Sequence, residues 1–336
     1  MSQEKTSPRA IPLGATGPKV FPIALGCMGM SGMYGASADD EGVRTIHAAV
    51  ERGVTLIDTG DFYGHGHNEL LVRRALEGLG ARRDELQISV KFGGMRSPDG
   101  AFIGIDCRPA AVKNFAAYSL KRLGVDVIDV YRPARLDPHV PIEDTVGAIA
   151  DLIQRGYVRH MGLSEVGVET IRRAHAVHPV VDLQIEYSLA SRGPEEKIFP
   201  VLEELGISAT LYGVLSRGLL SGRKPSGPGD FRAHLPRFTG ENGAHNEAIV
   251  ERLRAFAARS NRTTAQIAVA WALAKQPKLV PLVGARTREQ LDDVLGALAK
   301  PLSADELRAL EDIVPPGSIR GDRYQAGQMA HLDSER

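Results

Sequence analysis

Residues 56–64, which read LIDTGDFYG, decide how the rest of the sequence is interpreted. The stretch opens with a short apolar run typical of a β-strand, reaches a carboxylate at Asp58, and presents Tyr63 five residues later in a loop bounded by glycines. A second apolar run, 86–91, ends in Lys91. If the two runs form neighbouring parallel strands, their carboxyl ends lie at one edge of a sheet and the three polar side chains converge there.

Such a cluster has a chemical use. A phenol titrates near pH 10 and is a poor acid or base at neutral pH. A neighbouring ammonium lowers the pKa of the phenol, and a carboxylate holds that ammonium charged and oriented. Asp58, Tyr63 and Lys91 are therefore predicted to be catalytic residues for proton transfer at a carbonyl or alcohol oxygen. Each residue alone has an ordinary structural interpretation, so the prediction depends on their combination on consecutive strands.

An alternation of strands and helices extends outward from this stretch through most of the chain. The predicted strands are 21–25, 56–58, 86–91, 127–131, 158–163, 181–185, 207–212 and 280–283. The predicted helices are 39–52, 68–79, 109–123, 142–155, 168–177, 195–205 and 288–299, followed by a short helix at 304–313. Units of about thirty residues are typical of βα repeats, and eight of them predict a closed (β/α)8 barrel.

The rival fold is a doubly wound open sheet, which normally has a G-x-G-x-x-G turn after its first strand. Residues 26–30, GCMGM, lack that spacing. We therefore expect one barrel domain over 1–336, with an N-terminal β-hairpin near 11–19 and flexible ends at 1–10 and about 316–336. The Gly-, Pro- and Ser-rich segment 213–243 is far longer than a usual connection and is expected to fold over the carboxyl face of the barrel.

Composition limits the possible functions. The 336 residues are 43% hydrophobic and 24% charged, with a formal net charge of zero, so no basic surface is expected for nucleic acid or an anionic membrane. Only two cysteines occur, and no apolar run reaches the length of a membrane span. We expect a cytoplasmic protein, a monomer or weak homo-oligomer, whose partner is a small-molecule substrate.

Further motifs make the chain similar to a known family. Over about residues 11 to 315 it resembles the aldo-keto reductase superfamily. The matching motifs are 56–64, 89–93 (SVKFG), 135–138 (RLDP), 156–159 (GYVR), 162–164 (GLS), 184–187 (QIEY), 212–218 (YGVLSRG) and 281–284 (PLVG). The resemblance implies a (β/α)8 barrel that uses NADPH to reduce aldehydes and ketones. It also implies that Tyr63 is the proton donor, that Lys91 lowers its pKa, and that Asp58 supports Lys91.

One position departs from the family. The family places a fourth catalytic residue, a histidine, two positions before the leucine of the Leu-Asp-Pro motif, and Ala134 stands there in this chain. Three hypotheses follow. Tyr63 acts alone with water filling the space; another side chain substitutes, with His65, Arg132 and Glu165 as candidates; or the chain has little reductase activity.

The resemblance also implies a set of cofactor contacts. Ser164 and Gln184 resemble the partners of the nicotinamide carboxamide, and Tyr212 resembles the ring that stacks on nicotinamide. The usual asparagine after the serine is Glu165, for which a cofactor contact and a solvated loop acid are equally acceptable interpretations. The remaining predicted cofactor residues are Gly213, Leu215, Arg217 and Gly218 in the loop after strand seven, and Gly284, Arg286, Gln290 and Asp293 after strand eight.

Arg286, with Arg288 beside it, is the candidate for the 2′-phosphate that distinguishes NADPH from NADH. Helix N-termini bind anions well, and this segment opens the last predicted helix of the barrel. A solvated helix face is the alternative interpretation. NADPH/NADP+ is thus the predicted cofactor.

The substrate pocket is predicted from apolar residues near the strand ends and from the missing histidine. Methionine fills irregular gaps, so an adaptable apolar wall and a preference for hydrophobic or aromatic carbonyl compounds are expected. The predicted pocket residues are Met28, Met33, Tyr34, Phe62, Phe92 and Ala134, with Phe231 and the tail near Tyr324 as further candidates.

Two other classes of function are weighed against the reductase. A regulatory or interaction protein that binds NADP(H) with little turnover has a precedent in the β subunits of voltage-gated potassium channels, which share this fold. The intact Asp58, Tyr63 and Lys91 argue against it. A metal-dependent hydrolase is weaker still, since His65 and His67 are isolated from other ligands and no metal site is predicted.

Overall fold

Eight parallel strands close into a barrel in the computed structural model, which describes residues 8–35, 37–225, 227 and 230–335. Each strand pairs with the next along the chain, and the last pairs with the first. The strands are β1 (Ala24–Gly26), β2 (Leu56–Gly60), β3 (Gln87–Phe92), β4 (Ile128–Pro133), β5 (Val158–Ser164), β6 (Val180–Glu186), β7 (Ser208–Tyr212) and β8 (Val280–Gly284). The predicted (β/α)8 barrel is therefore confirmed.

Helices connect the strands and cover the outside of the barrel. They are α1 (Asp39–Glu51), α2 (His67–Glu77), α3 (Pro109–Leu123), α4 (Ile142–Gln154), α5 (Val168–Val177), α6 (Pro194–Leu205), α7 (Gly240–Arg259), α8 (Thr264–Lys275), α9 (Arg288–Leu295), α10 (Ala304–Ile313) and the single turn α11 (Ala326–Met329). Within the described ranges, none is long and apolar enough to cross a membrane.

Local sequence signals account for the sharpest helix ends. Pro109 opens α3, where its missing N–H costs nothing, and Gly124 ends the same helix in a left-handed conformation. Ser303 and Glu306 form a reciprocal capping box at the start of α10. Both helices, and α5, begin and end at the predicted residues.

The differences from prediction have physical causes. The first strand begins at Ala24 rather than at residue 21, because Pro22 has no N–H and the Phe21 N–H donates to the Thr55 hydroxyl at 2.8 Å. The helix predicted at 288–299 ends at Leu295 and continues as a 3-10 turn, Gly296–Ala299. The long helices α7 and α8 were not predicted.

A short N-terminal hairpin covers the amino-terminal end of the barrel. Its strands, Ile11–Pro12 and Lys19–Val20, pair antiparallel as predicted. Leu13 and Val20 pack into a small core with Ala24 and Leu56, the first residues of β1 and β2. Most of the predicted flexible N-terminal end, residues 1–7, lies outside the described residues.

The opposite, carboxyl face is covered by three segments. They are a second hairpin (Gly94–Arg96 with Phe102–Ile105), the irregular loop after β7, and the C-terminal tail after α10. The tail docks on the barrel through Asp333, which accepts hydrogen bonds from the Gly167 N–H at 2.8 Å and the Thr170 hydroxyl at 2.7 Å. A carboxylate there favours α5, because helix N-termini attract negative charge. Flexibility of this tail remains a prediction.

Candidate active site

Asp58 and Lys91 form a buried ion pair at the carboxyl end of β2 and β3. The two strands pair with Asp58 opposite Ser89 and Gly60 opposite Lys91, so the acid and the amine lie on the same face of the sheet, two positions apart in register. The Lys91 ammonium contacts one Asp58 oxygen and donates to the Thr59 carbonyl at 3.1 Å. The other Asp58 oxygen accepts from the Ser89 hydroxyl at 2.9 Å. Both charged side chains are over 90% buried, so their positions are tightly constrained.

Tyr63 lies beside this pair. It begins a 3-10 turn, Tyr63–Gly66, directly after β2, and the Lys91 nitrogen is 5.1 Å from the centre of its ring. Phe62 packs edge-on against the same ring at 4.9 Å. Tyr63 also lines a cavity at the carboxyl face of the barrel.

The titration behaviour of this cluster differs from the sequence-based expectation. Burial raises the pKa of Tyr63 well above the ordinary value, and the charge of Asp58 raises it further. Burial also lowers the pKa of Lys91, while Asp58 opposes that change. The net pKa of Tyr63 is therefore raised rather than lowered, because burial and the Asp58 carboxylate both favour the neutral phenol. Tyr63 is fully protonated at neutral pH.

The barrel interior supports the pair from below. Arg132 is fully buried among the strands and pairs with Asp182 at 2.6 Å. It also donates to the Ser89 hydroxyl at 2.9 Å, and Ser89 in turn donates to Asp58. A continuous polar network thus joins the barrel interior to the Asp58 carboxylate.

A cavity of about 500 Å³ opens at the carboxyl face above the cluster. The predicted residues that line it are Asp58, Tyr63, Lys91, Gln184, Tyr212, Gly213, Leu215, Arg217, Gly218, Gly284, Arg286, Gln290, Asp293, Met28, Met33, Tyr34, Phe62 and Ala134, with Phe231 and Tyr324. One continuous space therefore runs from the Tyr63 cluster to the start of α9.

Two predicted site residues do not line the cavity. Phe92 is fully buried and stacks on Tyr131 at 4.3 Å, between the barrel and its helices. Its assignment to the substrate pocket is wrong, because alternation along β3 turns Phe92 away from the side that Lys91 occupies. Ser164 lies at the end of β5 and is buried, and its hydroxyl has no hydrogen-bond partner among the described residues.

At the far end of the cavity, polar side chains surround the start of α9. The Arg286 guanidinium donates to the Tyr34 carbonyl at 2.9 Å, and its N–H donates to the Gln290 side chain at 3.0 Å. Asp293 accepts from the Thr263 hydroxyl at 2.7 Å. Arg288 is outside the cavity lining and pairs with Glu41 at 3.2 Å on the surface.

None of the three candidates for the missing histidine reaches the cavity. His65 is exposed and its ring contacts the Ser97 carbonyl at 3.2 Å, whereas Arg132 is enclosed within the barrel. Glu165 is fully buried and accepts from both terminal nitrogens of Arg323, at 3.0 and 2.8 Å. Glu165 is thus neither a solvated loop acid nor a cavity residue, because an arginine of the C-terminal tail covers it.

Arg323 belongs to a larger buried ion-pair network on the tail side of the site. Its guanidinium also lies 3.4 Å from Glu186, the last residue of β6, which pairs in addition with Arg217 at 2.9 Å and Arg237 at 3.5 Å. Burial raises the pKa of Glu165, but its hydrogen bonds to Arg323 outweigh this effect and lower the pKa to about 2. The network ties the tail and the loop after β7 to the ends of β5 and β6.

Sequence reasoning missed Arg135 as a site residue and gave Tyr324 only a general place in the pocket. Both line the cavity, and the Arg135 guanidinium donates to the Ala134 carbonyl at 2.7 Å and to the Tyr324 hydroxyl at 3.2 Å. The Tyr324 and Tyr212 hydroxyls are 3.1 Å apart. The Arg217 guanidinium stands 4.2 Å from the centre of the Tyr324 ring. Arg135 is the first residue of the motif 135–138 and directly follows Ala134, so the sequence could have indicated that its side chain lies near the missing histidine.

The fold and the cluster at its mouth define a (β/α)8 barrel of the oxidoreductase class. The sequence model of the Aldo/keto reductase family matches residues 22–315. The chain belongs to the aldo/keto reductase family, as its resemblance predicted. The family consists of oxidoreductases that act on carbonyl compounds and generally use nicotinamide cofactors.

Individual relatives agree with this assignment. The chain is 40% identical over 333 residues to "Probable aldo-keto reductase 1" of Glycine max, covering 97% of this chain and 94% of the relative. Among solved structures it is similar to the glycerol dehydrogenase AKR11B4 from Gluconobacter oxydans, with a TM-score of 0.81, 30% identity, and 92% and 95% of the two chains covered. It is also similar to the holo form of the aldo-keto reductase AKR11C1 from Bacillus halodurans, with a TM-score of 0.74, 27% identity, and 95% and 98% covered.

Proposed function

We propose that this chain uses NADPH to reduce aldehydes and ketones to alcohols, reversibly, with Tyr63 as the proton donor. The observation that carries the proposal is a single cavity whose one end holds Tyr63, Lys91 and Asp58 and whose other end reaches Arg286 at the start of α9. A substrate oxygen near Tyr63 and a dinucleotide extending toward α9 fit this one space.

The residues that line the cavity suit a dinucleotide. The lining cations are Lys91, Arg96, Arg135, Arg217, Arg223, Arg232 and Arg286, and the lining carboxylates are Asp58 and Asp293. An excess of guanidinium groups favours phosphates, which they bind with charge-assisted hydrogen bonds. Ser164 lies outside the cavity lining, but its buried hydroxyl has no partner among the described residues and suits an additional acceptor, as a nicotinamide carboxamide would provide.

The cofactor positions inferred from the sequence follow from this fit. Ser164 and Gln184 would hold the carboxamide, and Tyr212 would stack on the ring that supplies the hydride. Arg286 would hold the 2′-phosphate, since it lines the cavity at the N-terminus of α9 and is not paired with a carboxylate in the described residues. NADPH is therefore preferred to NADH.

The chain's own residues manage the proton. Tyr63 is protonated at neutral pH because burial and Asp58 raise its pKa, so it is available as a donor when negative charge develops on the carbonyl oxygen. Loss of that proton leaves a phenolate. The centre of the Tyr63 ring lies 5.1 Å from the Lys91 nitrogen. Lys91 stabilises the phenolate, and Asp58 keeps the amine in place.

The substrate side of the cavity is mainly apolar near the first barrel loop. Met28, Met33, Tyr34 and Phe62 line it together with Ala134. Thioether and aromatic side chains adapt to varied apolar shapes, so hydrophobic and aromatic carbonyl compounds are the proposed substrates.

Both cysteines are free and buried, which suits the reducing environment of the cytoplasm.

The test is a direct search for hydride transfer. Purified protein is mixed with NADPH deuterated at nicotinamide C4 and with a panel of aromatic and aliphatic aldehydes, and the alcohol products are analysed by mass spectrometry. The proposal predicts deuterium on the carbinol carbon and NADPH consumption equal to product formed. Absence of labelled alcohol from every aldehyde, despite bound NADPH, would overturn it.

Absence of labelled alcohol despite bound NADPH would favour the alternative function, a regulatory protein that binds NADP(H) with little turnover. The specific observation in its favour is Ala134, whose methyl group lines the cavity and provides no hydrogen-bond donor. The retained Asp58–Lys91 pair beside Tyr63 favours the enzyme, because cofactor binding alone does not require a buried charge pair at that place.

A further inference from the structure

The position of the family's histidine is filled by a methyl group, yet a cation stands immediately beside it. We propose that Arg135 is a catalytic residue whose guanidinium donates a hydrogen bond to the substrate carbonyl oxygen, with Tyr324 of the C-terminal tail as its positioning residue. The proposal rests on the proposed carbonyl reduction. It assigns to Arg135 the polarising role that Ala134 cannot fill.

Arg135 is placed and equipped for this role. It lines the same cavity as Ala134 and Tyr63. Two of its hydrogen bonds go to the Ala134 carbonyl and the Tyr324 hydroxyl, at 2.7 and 3.2 Å. A guanidinium has five N–H donors, so others remain for a substrate oxygen. The positive charge of Arg135 also acts on Tyr63, because it lowers the Tyr63 pKa and so opposes the effects of burial and Asp58.

Arg135 also forms no ion pair among the described residues. Arg217 and Arg232, which line the same cavity, pair with Glu186 and Asp230. Arg135 has no carboxylate within ion-pair distance among the described residues, although it is half-buried. A half-buried cation without a counter-ion is costly unless it serves an electron-rich group, and a carbonyl oxygen gaining charge is such a group.

Tyr324 fixes the direction of the guanidinium. Its hydroxyl accepts from Arg135 and lies 3.1 Å from the Tyr212 hydroxyl, while Arg217 packs over its ring. The preceding residue, Arg323, anchors this part of the tail to Glu165. Burial raises the pKa of Tyr324, but the charges of Arg217 and Arg135 outweigh it and lower the net pKa, consistent with their contacts to the ring and the hydroxyl.

In the proposed step Arg135 neither gains nor loses a proton. The carbonyl carbon receives the hydride, the electron pair of the C=O π bond moves to oxygen, and that oxygen takes the proton of Tyr63. Arg135 stabilises the oxygen while its charge grows. Removing one such donor from an active site typically lowers kcat by about 10²- to 10³-fold.

The experiment compares Arg135→Met, Arg135→Lys and Arg135→Ala with the wild type, using NADPH and an uncharged aromatic aldehyde. Arg172→Ala is the matched control, because Arg172 is an exposed arginine of helix α5 that pairs with Glu204 at 2.5 Å and does not line the cavity. NADPH affinity, from quenching of protein fluorescence, and circular dichroism verify that each variant is folded and loaded. We expect Arg135→Met to lower kcat by about 10²-fold with NADPH affinity unchanged, and Arg135→Lys to retain part of the activity.

Chemical rescue separates a catalytic role from a structural one. Guanidinium chloride at non-denaturing concentration is expected to raise the turnover of Arg135→Ala, and not that of the wild type or Arg172→Ala. A histidine introduced by Ala134→His is likewise expected to restore turnover to Arg135→Met. In a double-mutant cycle, Tyr324→Phe should cost less than Arg135→Met and add little to it, since Tyr324 acts through Arg135.

Two results would overturn the proposal. One is an Arg135→Met variant with the kcat of the wild type. The other is a loss confined to KM for aldehydes that carry a carboxylate, which would make Arg135 a binding site for anionic substituents. In both cases the wild type still reduces aldehydes, so the proposed function survives. A wild type that binds NADPH and reduces no aldehyde would overturn the proposed function and this inference together.

Discussion

The two sides of the cavity are built in different ways. On the strand side, Asp58 and Lys91 project from paired neighbours in the barrel, and strand register sets their separation. On the tail side, Arg323 pairs with Glu165, which lies 158 residues earlier in the sequence, and the next residue, Tyr324, lines the cavity. The strand side uses the backbone scaffold directly, whereas the tail side depends on side-chain ion pairs between residues that are far apart in the sequence.

This difference predicts different responses to mutation. A buried ion pair contributes little net stability compared with an apolar pair, but removing one partner leaves the other charge buried and alone. Altering the strand side should therefore lower activity as well as stability, because its buried ion pair lies beside Tyr63. The tail side should lose stability and tail docking first.

The largest effect is expected for Arg323→Met, which leaves Glu165 without its cation. The predicted cost is about 3–5 kcal/mol in the free energy of unfolding, measured by urea denaturation. Adding Glu165→Gln to this variant should recover part of the loss, because the buried charge is then gone. Arg172→Met, which breaks an exposed arginine–glutamate pair, should cost no more than about 1 kcal/mol. Equal costs for the buried and exposed arginines would contradict the comparison.

On the strand side, Lys91→Met is expected to lower kcat by about 10²- to 10³-fold, since the phenolate left by proton transfer loses its neighbouring charge. The measurement is steady-state reduction of an aromatic aldehyde at saturating NADPH. Lys113→Met serves as the control, because Lys113 is an exposed lysine paired with Asp151 on the outer helices. A Lys91→Met variant with normal kcat would remove the amine from the mechanism.

A smaller effect is expected for Arg286→Leu at the far end of the cavity. Charge-assisted hydrogen bonds contribute about 1.5–3 kcal/mol, so the KM for NADPH should rise by about ten- to a hundredfold while that for NADH stays nearly constant. Arg288→Leu is the neighbouring control, since Arg288 is outside the lining and pairs with Glu41. Equal changes for both cofactors would place the 2′-phosphate elsewhere.

The smallest predicted effect concerns pH. Burial, and next the charge of Glu69, raise the pKa of Asp61 to about 8, and its carboxylate oxygens have no regular hydrogen-bond partner among the described residues. A raised folded-state pKa means that stability is present below pH 4 and is lost as the pH rises toward 8. Asp61→Asn should therefore be at least about 1 kcal/mol more stable than the wild type at pH 8.5, with the difference shrinking toward pH 4.

Thermal unfolding of both proteins across pH 4 to 9 would measure this difference. Glu165 on the tail side has the opposite sign, because its pKa is lowered to about 2 and its contribution to stability is lost as the pH falls from 4.5 toward 2. A stability difference between Asp61→Asn and the wild type that does not change with pH would show that Asp61 does not titrate in this range.

The strand side could be predicted from the sequence because its information is local. Apolar runs mark the strands, and residues at strand ends share one edge of a parallel sheet. Pro109 and Ser303 mark helix starts to the residue. Even here, Phe92 was misplaced, although the inward position of Lys91 implies that the next residue faces the helices.

The tail side could not be predicted because no local pattern encodes it. The pairing of Arg323 with Glu165 depends on how the tail folds back onto the barrel. The residues next to Arg323 do not distinguish it from an exposed arginine. Helix α7 was missed for a related reason. It begins at Gly240 and contains Gly243, so its first turns read like the loop that precedes them.

Proton donation by Tyr63 is tested by the kcat of Tyr63→Phe, measured together with NADPH affinity on the same preparation. We expect NADPH to bind as it does to the wild type while kcat for aldehyde reduction falls by about 10²- to 10⁴-fold. If Tyr63→Phe reduced aldehydes at the wild-type rate, Tyr63 would not be the proton donor.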